Sequence, residues 1–155
     1  MPVVRAVPNV AIAVGEGVTV LADGAEARHL ETVRGLFAGL GQVIVAEENL
    51  LEAVSALSGA GPALVAYFAN ALARAGAAHG MSEEMAAALA GHAVRGTGSL
   101  LADGVTPASV ITSVTSPGGM TEAALRTLDA CALPESTRRA VDAAVRLSFG
   151  RLATA

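Results

Sequence analysis

The sequence predicts a mainly α-helical chain in which an all-helical stretch follows a small α/β segment. Three observations carry that expectation. β-prone runs fill the first part and stop after Glu47, whereas helix starts and stops succeed one another from Asn49 onward. Hydrophobic residues make up 53% of the chain but aromatic ones only 3%, so the apolar content is mostly Ala, Val and Leu, and a core of small residues requires closely packed helices. Charged residues are only 15%, and a chain this apolar offsets its ordering entropy by burial, which excludes disorder.

The elements follow in order. Val3 to Val7 is a short apolar run that ends at the turn signal Pro8-Asn9. Ala11 to Val14 and Val18 to Leu21 are β-prone, and Gly15-Glu16-Gly17 between them predicts two strands joined by a glycine turn. From Ala25 to Ala38 the period becomes helical, with Leu30, Val33, Leu36 and Phe37 on one face. Gly39 and Gly41 stop that helix, and Val43-Ile44-Val45 reads as a strand. This strand–helix–strand tail is too small to bury itself and reads as the close of a larger α/β domain.

Asn49 to Ala56 predicts a short helix, and Ser58-Gly59-Ala60-Gly61-Pro62 a break, with Pro62 in the first turn of the next helix. That helix is expected to reach Ala78 and end at His79-Gly80. Ser82 is a good N-cap, with Glu83 and Glu84 favourably placed in the first turn of a helix that stops at Asp103-Gly104. Thr106-Pro107 opens a short helix to Val114, Ser116 to Gly119 is a sharp loop, Thr121 to Cys131 is helical, and Pro134-Glu135 begins the last helix.

Composition also bounds the function. A mean hydropathy of +0.55 is high for a monomer this small, and the surplus apolar surface calls for a partner, most simply a second copy of the chain. A membrane span is the less favoured reading: the uncharged run from Ala53 to Ala73 is interrupted by the expected break at Ser58 to Pro62. The N-terminus shows no basic segment leading into an apolar run, so no signal peptide is expected. Net charge is -4 with scattered basic residues, which argues against nucleic acid as a partner. Cys131 is the only cysteine, fits a reducing cytoplasm, and reads as buried packing. His92 reads as a buried histidine and Glu47-Glu48 and Glu83-Glu84 as solvated caps. No Cys/His/Asp/Glu cluster has metal spacing and no G-x-S-x-G elbow occurs, so no metal is expected.

Chemistry concentrates at Val114-Thr115-Ser116-Pro117-Gly118-Gly119-Met120-Thr121. Two glycines admit a ligand close to the backbone, and the helix that follows directs free N–H groups and its positive end into the same space. Such a site suits a carboxylate or phosphate. An ordinary capped helix start after a loop explains the same residues and is the commoner case. Ser58 to Pro62 is likewise explained by tight helix packing or by a backbone that lets a neighbouring site close. Gly15-Glu16-Gly17 leads into a strand and Gly96-Thr97-Gly98 lies within a helix, so neither is a dinucleotide loop.

Four segments together resemble a known family. Arg5-Ala6-Val7-Pro8-Asn9, Val14-Gly15-Glu16-Gly17-Val18-Thr19, Ser55-Ala56-Leu57-Ser58-Gly59-Ala60-Gly61-Pro62-Ala63 and Thr115-Ser116-Pro117-Gly118-Gly119-Met120-Thr121 occur in the order and approximate spacing of pyrroline-5-carboxylate reductases. The resemblance runs from about Val3 to about Arg151. It implies that residues 1-46 are the truncated end of a Rossmann-like nucleotide-binding domain and residues 47-155 a helical dimerisation and substrate-binding domain. The implied activity is reduction of 1-pyrroline-5-carboxylate to L-proline with NADPH or NADH, by homodimers that assemble further, often into decamers. Thr115, Ser116, Gly118, Gly119, Met120 and Thr121 are then expected at the substrate carboxylate. Thr121 is expected near the ring nitrogen as proton donor or orienter, and Pro8 and Asn9 are expected to border the nicotinamide.

The chain also departs from the family. Val7, Val10 and Ala11 stand where methionine, threonine and proline are usual around the asparagine. Ala60 replaces a serine, Leu64 a tyrosine, Asn70 an acidic residue and His92 a glutamine. The carboxylate loop is intact, whereas the cofactor side is eroded or missing. Two alternatives therefore stand beside an active reductase: a non-catalytic helical dimerisation module, and one half of a split reductase.

Overall fold

A computed structural model describes residues 2–152, with side chains described through Ser148. The described residues fall into two compact units, one drawn from residues 2–64 and 138–152, the other Val65–Thr137.

The first unit is built on a three-stranded sheet. β1 (Ala6–Pro8) pairs antiparallel with β2 (Gly17–Ala22), and β2 pairs parallel with β3 (Gly41–Ala46). The crossover between β2 and β3 is α1 (Ala27–Phe37) followed by one 3₁₀ turn, Ala38–Leu40. β2 is central, and its β-branched run Val18-Thr19-Val20 with Leu21-Ala22 suits burial on both faces. Val20, Ala22 and Leu51 form the core, with Val7, Val18, Ala46 and Val54 packed around them. α1 turns Leu30, Val33 and Phe37 half inward, while Leu36 is 72% exposed. Gly41 opens β3 at φ +133, and a Cβ there would overlap the Gly17 carbonyl of the paired strand, so both conformation and close approach demand glycine.

One expected strand is absent. Val10–Val14 is a 3₁₀ turn, and the strand before β2 is instead Ala6–Pro8. Asn9 decides this: its side-chain oxygen accepts the N–H groups of Ala11 and Val18, both at 3.2 Å. That bonding curls the chain at Val10, and Gly15 closes the turn with N–H bonds back to Ala11 and Ile12. The β-branched residues of this run therefore lose to a local polar cap.

The helical stretch begins with a 3₁₀ turn, Glu48–Leu50, continues as α2 (Leu51–Val54) and passes through a π-helical turn, Ser55–Gly59, into α3 (Gly61–Ala78). The break expected at Ser58 to Pro62 is thus a widening of a continuing helix. Pro62 has no N–H, and its ring crowds the carbonyl four residues back; a single π turn before it absorbs the misfit without stopping the helix. Among the described residues Glu48–Ala78 is a helical stretch long and apolar enough, by length and composition, to cross a membrane. The break that made a membrane span the less favoured reading is therefore a continuous helix. α7 (Leu133–Leu152) returns to the first unit, where Ala144, Leu147 and Ser148 line a shallow hollow with Ser55, Ala56 and Ala60.

The second unit holds most of α3 with α4 (Glu83–Ala102), α5 (Pro107–Val114) and α6 (Met120–Ala130). Its boundaries follow local chemistry. Ser82 accepts the Met85 N–H and Thr106 the Ser109 N–H, each as an N-cap, and Pro107 starts α5. Little of this unit is buried: Ala86 and Ala90 are its only buried hydrophobic residues among those described, whereas Tyr67 is 78% and Leu89 56% exposed. His92 and Cys131, expected to be buried, are exposed. The reason is common to both: these helices keep their apolar faces open.

Candidate functional site

The turn between α5 and α6 gathers Thr115, Ser116, Gly118, Gly119, Met120 and Thr121. α5 ends as Thr115 turns extended, its hydroxyl donating to the Ile111 carbonyl at 2.6 Å. Gly119 N–H donates to the Ser116 carbonyl at 2.9 Å, closing a tight turn. Gly118 lies at φ +71, a conformation natural to glycine. Gly119 is the N-cap of α6 and has no capping side chain. A Cβ on Gly119 would collide with the Ser116 hydroxyl and lie 3.0 Å from the Ser116 carbonyl oxygen, so a side chain there forces Ser116 to give way.

This geometry decides which donors remain. The N–H groups of Gly118 and Gly119 are both used, the first by the Glu122 carboxylate at 2.7 Å. The first N–H groups of α6, those of Met120, Thr121 and Glu122, have no partner within the helix. Among the described residues neither the Ser116 nor the Thr121 hydroxyl forms a hydrogen bond. Met120 is 92% exposed and offers its backbone, while Thr121 is half-buried. The arrangement is a small cluster of unpaired N–H and O–H donors at the positive end of an 11-residue helix. Such an arrangement of donors suits an anion. Glu122 is absent from the sequence expectation, although glycine followed three residues later by glutamate has the spacing of a capping box.

Pro8 and Asn9 belong to the other unit, at the end of β1. Asn9 is half-buried, and its side-chain oxygen is committed to Ala11 and Val18. Close by in sequence, Arg5 donates to Glu48 at 2.7 Å and to Glu52 at 2.8 Å, and the Ser148 hydroxyl of α7 donates to the second Glu52 oxygen. Glu52 is only 7% exposed. The Ser148 hydroxyl and then the Arg5 guanidinium hold its carboxyl below the usual carboxylate range. Arg5 is pushed up in turn, by Glu48 first and then Glu52. Glu48 is therefore an ion-pair partner and not merely a solvated cap. Among the described residues no group of three or more His, Cys, Asp or Glu is placed to hold a metal ion.

The fold and turn define a class: a small three-stranded α/β segment followed by helices with open apolar faces, one of which starts on a cluster of unpaired donors. A family model described as pyrroline-5-carboxylate reductase dimerisation matches residues 48–149. The chain belongs to the pyrroline-5-carboxylate reductase family, of which it carries the dimerisation domain. It is 42% identical over 147 residues to a pyrroline-5-carboxylate reductase of Thermus thermophilus, covering 93% of this chain and 56% of that protein. The enzyme of that name from Mycobacterium tuberculosis is 39% identical over 170 residues, with 97% and 56% covered. Among solved structures, a pyrroline-5-carboxylate reductase from Coxiella burnetii superposes with a TM-score of 0.90 at 30% identity over 96% of this chain and 57% of that one. A pyrroline carboxylate reductase from Plasmodium falciparum, solved with NADP bound, gives 0.85 at 27% identity over 95% and 60%. The chain thus spans 56% of the length of the first two relatives.

Proposed function

We propose that the chain serves reduction of 1-pyrroline-5-carboxylate to L-proline with NADPH or NADH, supplying the substrate-carboxylate site and the dimer interface. The observation that carries this reading is the unpaired donor cluster of Ser116, Met120 and Thr121 at the start of α6. A cyclic imine acid needs its carboxylate fixed so that its ring nitrogen and carbon face their reaction partners. The α6 N–H groups fix the carboxylate. The Thr121 hydroxyl is a weak acid and acts by orienting the imine nitrogen or the water that protonates it.

The nicotinamide cofactor supplies hydride. This chain's residues fit a border to that group and not its cradle: the Asn9 side-chain oxygen is held by the N–H groups of Ala11 and Val18, and the Gly15–Gly17 turn opens a strand. Residues 1-46 act as the closing part of the nucleotide-binding domain and residues 47-155 as the dimerising and substrate-binding part. The family match from residue 48 supports that division.

The working form is a homodimer, capable of further assembly up to a decamer, in the cytoplasm. The exposed apolar faces of α3 and α4 support the dimer. The stretch Glu48–Ala78 packs against partner helices and not lipid, and neither nucleic acid nor metal takes part. The experiment is NADPH oxidation by the purified chain with 1-pyrroline-5-carboxylate, beside calorimetric titration with L-proline and with Thr121→Ala as control. Proline binding with little or no turnover by the chain alone is the expected result, because its residues border the cofactor and do not cradle it; any turnover should fall in the control. Proline binding without turnover favours the split-enzyme form of the reading, and absence of both overturns it.

A further inference from the structure

Glu122 stands at the third position of α6 counted from its Gly119 cap. From there a glutamate of a capping box reaches back to the cap's own N–H. Here the cap residue has no side chain to reciprocate, and the carboxylate reaches one residue further, to the Gly118 N–H at 2.7 Å. A bond this short to a carboxylate is of the strong, charge-assisted kind. It holds the one residue of the turn whose φ is positive, +71. The second bond of the turn, Gly119 N–H to the Ser116 carbonyl, is backbone to backbone. Glu122 is thus the only side chain among the described residues that is hydrogen-bonded to the Ser116–Gly119 backbone.

We propose that Glu122 is a positioning residue for the substrate-carboxylate turn, resting on the function proposed above. By pinning Gly118 it keeps the turn closed over Gly119, so that the N–H groups of Met120 and Thr121 point to one place before a ligand arrives. It touches no reacting atom. What the turn needs from Glu122 is an acceptor, and its negative charge works the other way, because a second carboxylate must approach the same helix end. Acceptor and charge therefore have opposite effects on ligand affinity, and two substitutions separate them.

The test is calorimetric titration of the chain with L-proline, using Glu122→Ala and Glu122→Gln, with melting curves for each. Glu122→Ala loses the acceptor and is expected to bind about tenfold more weakly. Glu122→Gln keeps an acceptor oxygen without the charge and is expected to bind at least as tightly as the parent. Melting temperatures cannot produce that opposed pair of shifts. Equal affinity of parent and Glu122→Ala overturns the inference alone. So does a Glu122→Gln affinity as poor as that of Glu122→Ala, or poor by itself where Glu122→Ala fails to fold. A parent that does not bind proline overturns the carboxylate site, and the inference with it.

Discussion

Arg5 and Glu52, 47 residues apart, meet at 2.8 Å with the carboxylate almost wholly buried. The pair joins the chain entering β1 to the first turns of the long helical stretch, and Ser148 adds the far end of α7 to the same carboxylate. Three distant segments converge on one charge. A buried carboxylate left without its guanidinium is costly, so the pair acts as a lock on the relative placement of these segments.

The pH dependence follows from the direction of the shift. Glu52 is held below the ordinary value of 4.5, so its contribution to stability is complete above that value and is lost as pH falls through the lowered one. Melting curves across the acid range should show Glu52→Gln less stable than the parent at neutral pH, with the gap closing as the solution is acidified. A gap independent of pH would mean that the charge of Glu52 does not hold the segments.

Leu51, beside Glu52, has 0% exposure and packs with Val20 and Ala22 against the sheet. Leu51→Ala should cost about 3 kcal/mol in urea denaturation, the usual range for a buried leucine that leaves a cavity. Met120→Ala, at 92% exposure, should cost nothing measurable by the same assay.

What was legible in the sequence follows the range of the interaction. Ser82, Thr106-Pro107 and Asp103-Gly104 mark helix ends through bonds three or four residues long, and those ends stand where the spacing places them. The Ser116–Thr121 turn was legible for the same reason. Val10–Val14 was not, because β-branched composition says strand while one Asn9 oxygen, reaching nine residues to Val18, says turn. Pro62 was read correctly as opening a helix, but the glycines before it predict a break where a π turn carries the helix on. Arg5, Glu52 and Ser148 carry no sequence signal, since nothing local links residues 47 and 96 apart. His92 was placed inside on the strength of Met85 and Leu89 on its helix face, which face outward, and Cys131 because a lone cysteine suggests packing, although it too is exposed.

The outward faces make a prediction of their own. Tyr67 on α3 is 78% exposed among Leu64, Val65 and Phe68, all at least 37% exposed. A charge placed there meets water in a monomer and an apolar surface in a dimer. Tyr67→Glu should leave the helical circular dichroism unchanged. Light scattering should then report a mass near 15.3 kDa, where the parent gives twice that. A variant that still dimerises would move the interface off this face of α3.

Gly119 gives the sharpest test of the carboxylate turn. Its backbone, φ -80 and ψ 170, suits any residue, so a substitution there is opposed by space and not by conformation. The space is bounded by Ser116, whose hydroxyl lies too close to where a Cβ would go and whose carbonyl accepts the Gly119 N–H. Gly119→Val should abolish L-proline binding in calorimetry. Because Gly119 is half-buried against Ser116, it should also lower stability modestly, by about 1 kcal/mol. Gly119→Ala makes the smaller collision, and adding Ser116→Ala removes the hydroxyl it meets. The double variant should regain the parent's melting temperature but not its affinity, because the turn is then relaxed while its mouth is still narrowed by a methyl group. Full recovery of both would show that glycine serves only the fold of the turn, and proline binding by Gly119→Val equal to the parent's would remove the turn from the substrate site.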